Sequence, residues 1–142
     1  MRWLLLDEVL EIEKKVRART RSHVPAGDVS PELLMVEMMA QTGALLLGAE
    51  SDFQDDLVFT KIGEAIFDHG FQAGEALEIE ATSENLKPEG AWFEGSIQGS
   101  KGRRARGSFL LMNVGKLVAN HIKPVTFHEA FMKHFQIRTK IR

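Results

Sequence analysis

The spacing of apolar residues changes period along the chain, and each change predicts a new element. From Val9 to Arg21 apolar and charged residues alternate, most clearly through Val16-Arg17-Ala18-Arg19-Thr20-Arg21, the period of a strand with one buried face; a short helix or turn can precede it. Ser30-Pro31-Glu32 then supplies an N-cap residue, a proline at the first helical position and an acid in the first turn, so a helix is predicted from there to about Gly48. Leu33, Leu34, Met35, Val36, Met38, Met39, Ala40 and the run Ala44 to Leu47 leave that helix almost no polar face, and other structure has to enclose it. Extended segments are predicted over 57–71, 75–83, 91–99 and 103–114, with Lys87-Pro88-Glu89-Gly90 as a turn and Gly99-Ser100-Lys101-Gly102 as a hairpin loop. One long hydrophobic helix and a long antiparallel sheet make an α+β arrangement in which the sheet wraps the helix. Thr126-Phe127-His128-Glu129 has the spacing of a capping box and predicts a short helix through about His134, within a basic C-terminal extension over 121–142 that follows a main domain over 1–120.

Composition narrows the chemistry. A chain of 142 residues with 44% hydrophobic residues can form one domain with a substantial core. It has no cysteine, which excludes disulfides, thiolate metal sites and a thiol nucleophile. No metal and no cofactor is expected, and any chemistry falls to histidines, carboxylates, hydroxyls and backbone groups. The apolar opening ends at Asp7-Glu8, too early for a signal peptide, and no stretch is expected to reach the roughly 18 apolar residues of a membrane span. The expectation is a soluble, cytoplasmic protein with no membrane partner.

The net charge of −2 conceals a division, because the last third of the chain is strongly basic and carries a single acid, Glu129. Such a stretch either steers an acidic or phosphorylated partner or forms a solvated face. Nucleic acid is not expected as that partner, since Trp92 and Phe109 are the nearby aromatics and both fit a sheet core.

The segment SHVPAGDVSPELLMVEMMAQ, Ser22 to Gln41, holds the candidate chemistry. His69, His121, His128 and His134 read as solvated or structurally satisfied side chains. His23 differs, because its loop feeds a helix whose first turn offers backbone N–H groups and a positive dipole end to a carbonyl oxygen acquiring negative charge. Glu37 lies two turns into that apolar helix. Gln41, at i+4 on the same face, can satisfy it, and burial should raise its pKa and leave it protonated near neutral pH. A histidine base, a carboxylic acid and an oxyanion site are what proton abstraction next to a carbonyl requires.

His23-Val24-Pro25, Val29-Ser30-Pro31, Leu34, Glu37 and Ala40-Gln41 together resemble the "HFP…PVxPGVLxxExxAQ" signature of the 3-hydroxyacyl-acyl-carrier-protein dehydratases, the FabZ/FabA group, with fourteen positions from histidine to glutamate. Arg2 to Glu11 is similar to that family's "PFLLVDRVLE" opening, and Phe59 to Glu75 to its "FAGIDNVRFRRPVVPGD" segment. The resemblance implies the hotdog fold, a long helix wrapped by an antiparallel sheet and paired into homodimers or higher oligomers. It implies that His23 takes the α-proton of a 3-hydroxyacyl thioester and that Glu37 of a neighbouring subunit protonates or holds the departing hydroxyl. Pro31, Glu32, Leu33 and Gln41 become substrate-binding positions, and the partner becomes an acyl carrier protein bearing its substrate on 4'-phosphopantetheine. Given the charge division, Arg103, Arg104 and Arg106, or the basic tail, are the candidates for meeting that acidic carrier.

The sequence also departs from the family pattern. Glu32 stands where the family has glycine and brings negative charge toward the oxyanion site; Val24 replaces phenylalanine, and the segment before His23 is shorter. A hotdog thioesterase and a non-catalytic acyl-binding or partner-binding hotdog subunit therefore remain open as alternatives.

Overall fold

The alternation over Val9–Arg21 forms two strands, not one. In a computed structural model, which describes residues 4–68, 70–115 and 127–142, β1 (Glu8–Glu13) turns back into β2 (Arg17–His23). His69, His121 and Thr126, with Arg2 and Trp3, lie outside the described residues. The turn is made at Lys14-Lys15-Val16, where Lys15 takes a left-handed backbone (φ 67°) and the Val16 N–H donates to the Glu13 carbonyl at 2.9 Å. No glycine marks this turn, so a single alternating run conceals it.

The 18-residue helix α1 (Pro31–Gly48) follows, with a 3₁₀ turn at Ala49–Ser51. Then come β3 (Asp56–Phe67), β4 (Ala76–Thr82), β5 (Gly90–Gly99) and β6 (Gly102–Gly115), and after them α2 (Glu129–His134) and α3 (Ile137–Lys140). Among the described residues these six strands join one antiparallel sheet in the order β1-β2-β4-β5-β6-β3. The predicted Gly99–Gly102 hairpin is present, those two glycines closing the β5–β6 pair.

The sheet wraps α1 as the apolar pattern requires. Met35, Met38, Met39 and Leu45 to Leu47 of the helix are fully enclosed, and they pack with Ile79, Phe93, Ile97 and Phe109 from the inward positions of β4, β5 and β6. Phe109 stacks on Phe93 and on Phe59, with ring centroids 5.8 and 6.0 Å apart. By length and composition Pro31–Ser51 could cross a membrane, which corrects the expectation that no stretch of this chain could; 78% of that window is instead buried against the sheet. Trp92 is also corrected. It alternates with Phe93 and therefore lies on the outer face, 46% exposed, while Phe109 is in the core as expected.

The outer face of the sheet carries the charge. Arg17, Arg19 and Arg21 of β2 stand between acids of both neighbouring strands. Arg17 Nε is 2.9 Å from Glu11, Arg19 reaches Glu11 at 3.3 Å and Glu78 at 3.2 Å, and Arg21 reaches Glu8 at 3.3 Å. Exposed pairs of this kind contribute little singly, but Glu11 is buried and depends on its guanidinium neighbours for compensation.

The C-terminal residues lie against the same core. Phe135 and Ile137 are buried in it, and the Phe127 ring meets Phe53 edge-on at 5.1 Å. Ile141 bridges Ile12 in parallel, and the Arg142 N–H donates to the Ile12 carbonyl at 2.8 Å, which partners the free edge of β1. Helix α2 starts at His128 as its N-cap with no side-chain cap. The Thr126 of the expected capping box is outside the described residues.

Gly95 sets how closely α1 can approach the sheet. A Cβ there would stand 2.9 Å from Met39 Cβ and 2.8 Å from its sulfur, both enclosed and unable to retreat far. Gly95→Ala should therefore destabilise the fold by about 1–3 kcal/mol, because overpacking outweighs the entropy that alanine would recover in a strand. Urea unfolding checks this, and an unchanged midpoint would place the helix farther from β5 than it is here.

Candidate active site

The site is built at the N-terminal end of α1, where β2 hands the chain to the helix. His23 is the last residue of β2 and pairs with Ala76 of β4. The ladder continues past it, with the Val24 N–H donating to the Glu75 carbonyl at 2.9 Å and the Gly74 N–H to the Val24 carbonyl at 2.7 Å. Val24 is buried, so the smaller residue at this position still anchors the loop, and the histidine is carried by the strand itself. Its imidazole is half exposed. Nδ1 lies 2.7 Å from Asp7 Oδ2, and Nε2 has no partner among the described residues.

Glu37 occupies the least covered side of α1. Leu33, four residues earlier, is 60% exposed, and Val36 is only partly covered. The expected i+4 partner is present, as Gln41 Nε2 donates to Glu37 Oε1 at 3.1 Å. Gln41 is buried, and its Oε1 accepts the Leu5 N–H at 3.0 Å, so its amide orientation is fixed from both ends. Through that pair of bonds Gln41 positions Glu37.

Ser30 and Glu32 arrange themselves differently from the capping expectation. Ser30 precedes α1 as N-cap without a side-chain cap bond, and its hydroxyl donates to Glu32 Oε2 at 2.7 Å. Glu32 is thereby tied to Ser30, the residue that precedes the helix. Pro31 opens α1 and has no N–H, which puts the first backbone donors of the turn at Glu32 and Leu33.

Within one chain no hydrogen bond or ion pair joins His23 to Glu37. The histidine is bonded to Asp7 and the glutamate to Gln41. Asp7 went unnoticed in the sequence because it is separated from His23 by a hairpin whose turn carries no glycine. The β1–β2 pairing closes the gap, with the Asp7 N–H donating to the Arg21 carbonyl at 2.8 Å. Arg104 is also not the free cation expected. It is mostly buried, its Nε 2.9 Å from Glu75 Oε2 and its guanidinium 4.7 Å from the Phe71 ring centroid, whereas Arg103 and Arg106 are exposed. Among the described residues no cluster of three or more histidines and carboxylates could hold a metal ion.

Burial raises the Glu37 pKa above its ordinary value of 4.5, with the Gln41 hydrogen bond opposing the shift less strongly. The folded chain then holds that proton more tightly than the unfolded chain does, so the associated stability is full at acid pH and is lost as pH rises through the folded value. Glu37→Gln cannot ionise. It should be more stable than the parent at about pH 8 and lose that advantage near pH 4. Thermal melts of both proteins at the two pH values measure this, and a difference independent of pH would mean that Glu37 does not titrate upward.

No family profile matches the chain. The 3-hydroxyacyl-[acyl-carrier-protein] dehydratase FabZ of Polaromonas sp. is 35% identical over an alignment of 99 positions that covers 59% of this chain and 68% of that relative. The dehydratase heterocomplex ApeI:P of Xenorhabdus doucetiae superposes with a TM-score of 0.67 over 80% of this chain and 85% of its own, at 18% identity. A hypothetical thioesterase with coenzyme A from Streptococcus pneumoniae superposes with a TM-score of 0.61 over 77% of this chain and 86% of its own, at 11% identity. Those two likenesses show the fold, a sheet wrapped on one helix, and the first relative shows the lineage: the chain belongs to the FabZ family of 3-hydroxyacyl-acyl-carrier-protein dehydratases.

Proposed function

We propose that this protein dehydrates 3-hydroxyacyl thioesters carried on acyl carrier protein to trans-2-enoyl thioesters, in fatty-acid or related acyl-chain synthesis. The observation that carries the reading is Glu37, a carboxyl group whose burial favours the protonated form, on the open side of an otherwise enclosed helix. His23 Nε2 takes the α-proton of the substrate. The thioester oxygen gains negative charge as the enolate forms, and backbone N–H groups in the first turn of α1 stabilise it. Glu37 gives its proton to the β-hydroxyl, water departs and the double bond closes. His23 is left protonated and Glu37 ionised, and a net proton transfer between them restores the site.

That sequence needs His23 and Glu37 in one site, and a second copy of the chain brings them together. The edge strand β3 runs 12 residues and exposes Ile62 and Ile66, 48% and 42% accessible. An edge of that length, unpaired among the described residues and bearing apolar side chains, favours pairing with another strand. Pairing with the same edge of a second copy makes an isologous homodimer, in which Leu33, Val36 and Glu37 of each helix are covered by the other chain. Arg103 and Arg106, exposed and in no ion pair among the described residues, offer positive charge to an acidic carrier.

The alternatives are less well supported. A thioesterase would need an ionised carboxylate to activate water, and burial pushes Glu37 the other way. Of the two departures that best support a non-catalytic subunit, Glu32 has its carboxylate bonded to Ser30, and the shortened segment before His23 is held by the ladder from Val24 to Gly74 and Glu75.

Incubation with a 3-hydroxybutyryl thioester, followed by enoyl absorbance, tests the proposal. Enoyl product should form, and His23→Ala and Glu37→Gln should each lower the rate by about 10²- to 10⁴-fold, the usual share of a general base or acid, with the fold intact by circular dichroism. Release of free thiol without enoyl product would identify a thioesterase instead.

A further inference from the structure

The N-terminal strand entry, residues 5–7, is bonded to both halves of the candidate chemistry. Leu5 donates its N–H to Gln41, which in turn holds Glu37, and its carbonyl accepts the hydroxyl of Ser22, the residue before His23. Asp7 then bonds the histidine itself, Oδ2 to Nδ1 at 2.7 Å. Asp7 is held in turn by its backbone, which donates to Arg21 across the β1–β2 pair.

An imidazole has two nitrogens, and only the unprotonated one can act as a base. A carboxylate facing Nδ1 accepts a hydrogen bond from it, so it selects the tautomer with the proton on Nδ1 and the lone pair on Nε2. It also attracts the positive charge that appears once Nε2 has taken a proton. No other acid forms an ion pair with His23 among the described residues, and the nearby bases are engaged elsewhere, Arg21 with Glu8.

Resting on the dehydratase reading, we infer that Asp7 is a positioning residue that fixes the tautomer and orientation of His23, and that residues 5–7 set the geometry of both His23 and Glu37 from one short segment. In a dimer with sites shared between subunits, each copy of this segment serves the histidine of one site and the glutamate of the other. A change at Asp7 therefore acts on the proton-abstracting half alone.

The test compares Asp7→Ala, Asp7→Asn and Asp7→Glu with the parent in two measurements. In kinetics with a 3-hydroxybutyryl thioester, Asp7→Ala and Asp7→Asn should lower kcat on the order of 10²-fold, less than the roughly 10⁴-fold loss known where a buried aspartate holds a catalytic histidine. KM should stay within about threefold, and Asp7→Glu should recover most of the rate. In ¹⁵N spectra of the histidine rings, His23 should carry its proton on Nδ1 in the parent and shift toward Nε2 in Asp7→Ala. An unchanged kcat, a loss confined to KM or an unchanged tautomer would each overturn the inference. If the parent shows no turnover while the tautomer still depends on Asp7, the dehydratase reading has failed and the orientation of His23 by Asp7 stands; a tautomer indifferent to Asp7 overturns the inference whether or not the parent is active.

Discussion

The structure depends on covering one helix. Helix α1 is so uniformly apolar that exposure along any side would cost roughly 25 cal/mol for each Å² of apolar surface left in water. The sheet answers by curling around it, and a close-approach position such as Gly95 lets strand backbone come within contact of Met39. The C-terminal residues close the far end, where the Phe127 ring lies against Gly48 and Phe53. Only the N-terminal half of α1 keeps a less covered side, at Leu33, Val36 and Glu37.

The proposed chemistry falls where this coverage ends. A carboxyl group in the fully enclosed part of the helix could not reach a substrate, and one on an ordinary surface would be ionised at neutral pH. Glu37 lies between these limits, buried enough for its pKa to rise and open enough to meet a second molecule. Gln41 keeps it in place, and residues 5–7 connect that hold to His23 through Leu5 and Asp7. The segment that leads into the β1–β2 hairpin is thus bonded to His23 directly and to Glu37 through Gln41.

Much of this was legible in the sequence, for definite reasons. The helix bounds were readable because Ser30-Pro31-Glu32 marks the start and the apolar run continues without a break to Gly48. The pairing of Glu37 with Gln41 followed from helical spacing alone. What escaped was what depends on strand pairing between distant residues. The Lys14-Lys15-Val16 turn lacks the usual glycine or proline, so the two strands read as one and the Asp7–His23 contact could not be foreseen. Trp92 was misplaced for a related reason: its alternation with Phe93 puts one aromatic inside and the other outside, and composition does not say which. The charge division was real as arithmetic but less free than it looked, because Arg104 is spent on Glu75, Arg138 on Asp52 and Arg142 on Glu11.

The central claim is that the open side of α1 is half of a site completed by a second chain. Heterodimers purified through two different tags, one chain carrying His23→Ala and the other Glu37→Gln, test it most directly. A shared site leaves one of the two sites with both defects and the other with neither, so the heterodimer should regain about half of the parent activity, far above the residue left by either variant alone. Verified heterodimers no more active than the single variants would contradict the account, placing both residues in one chain or neither in the chemistry.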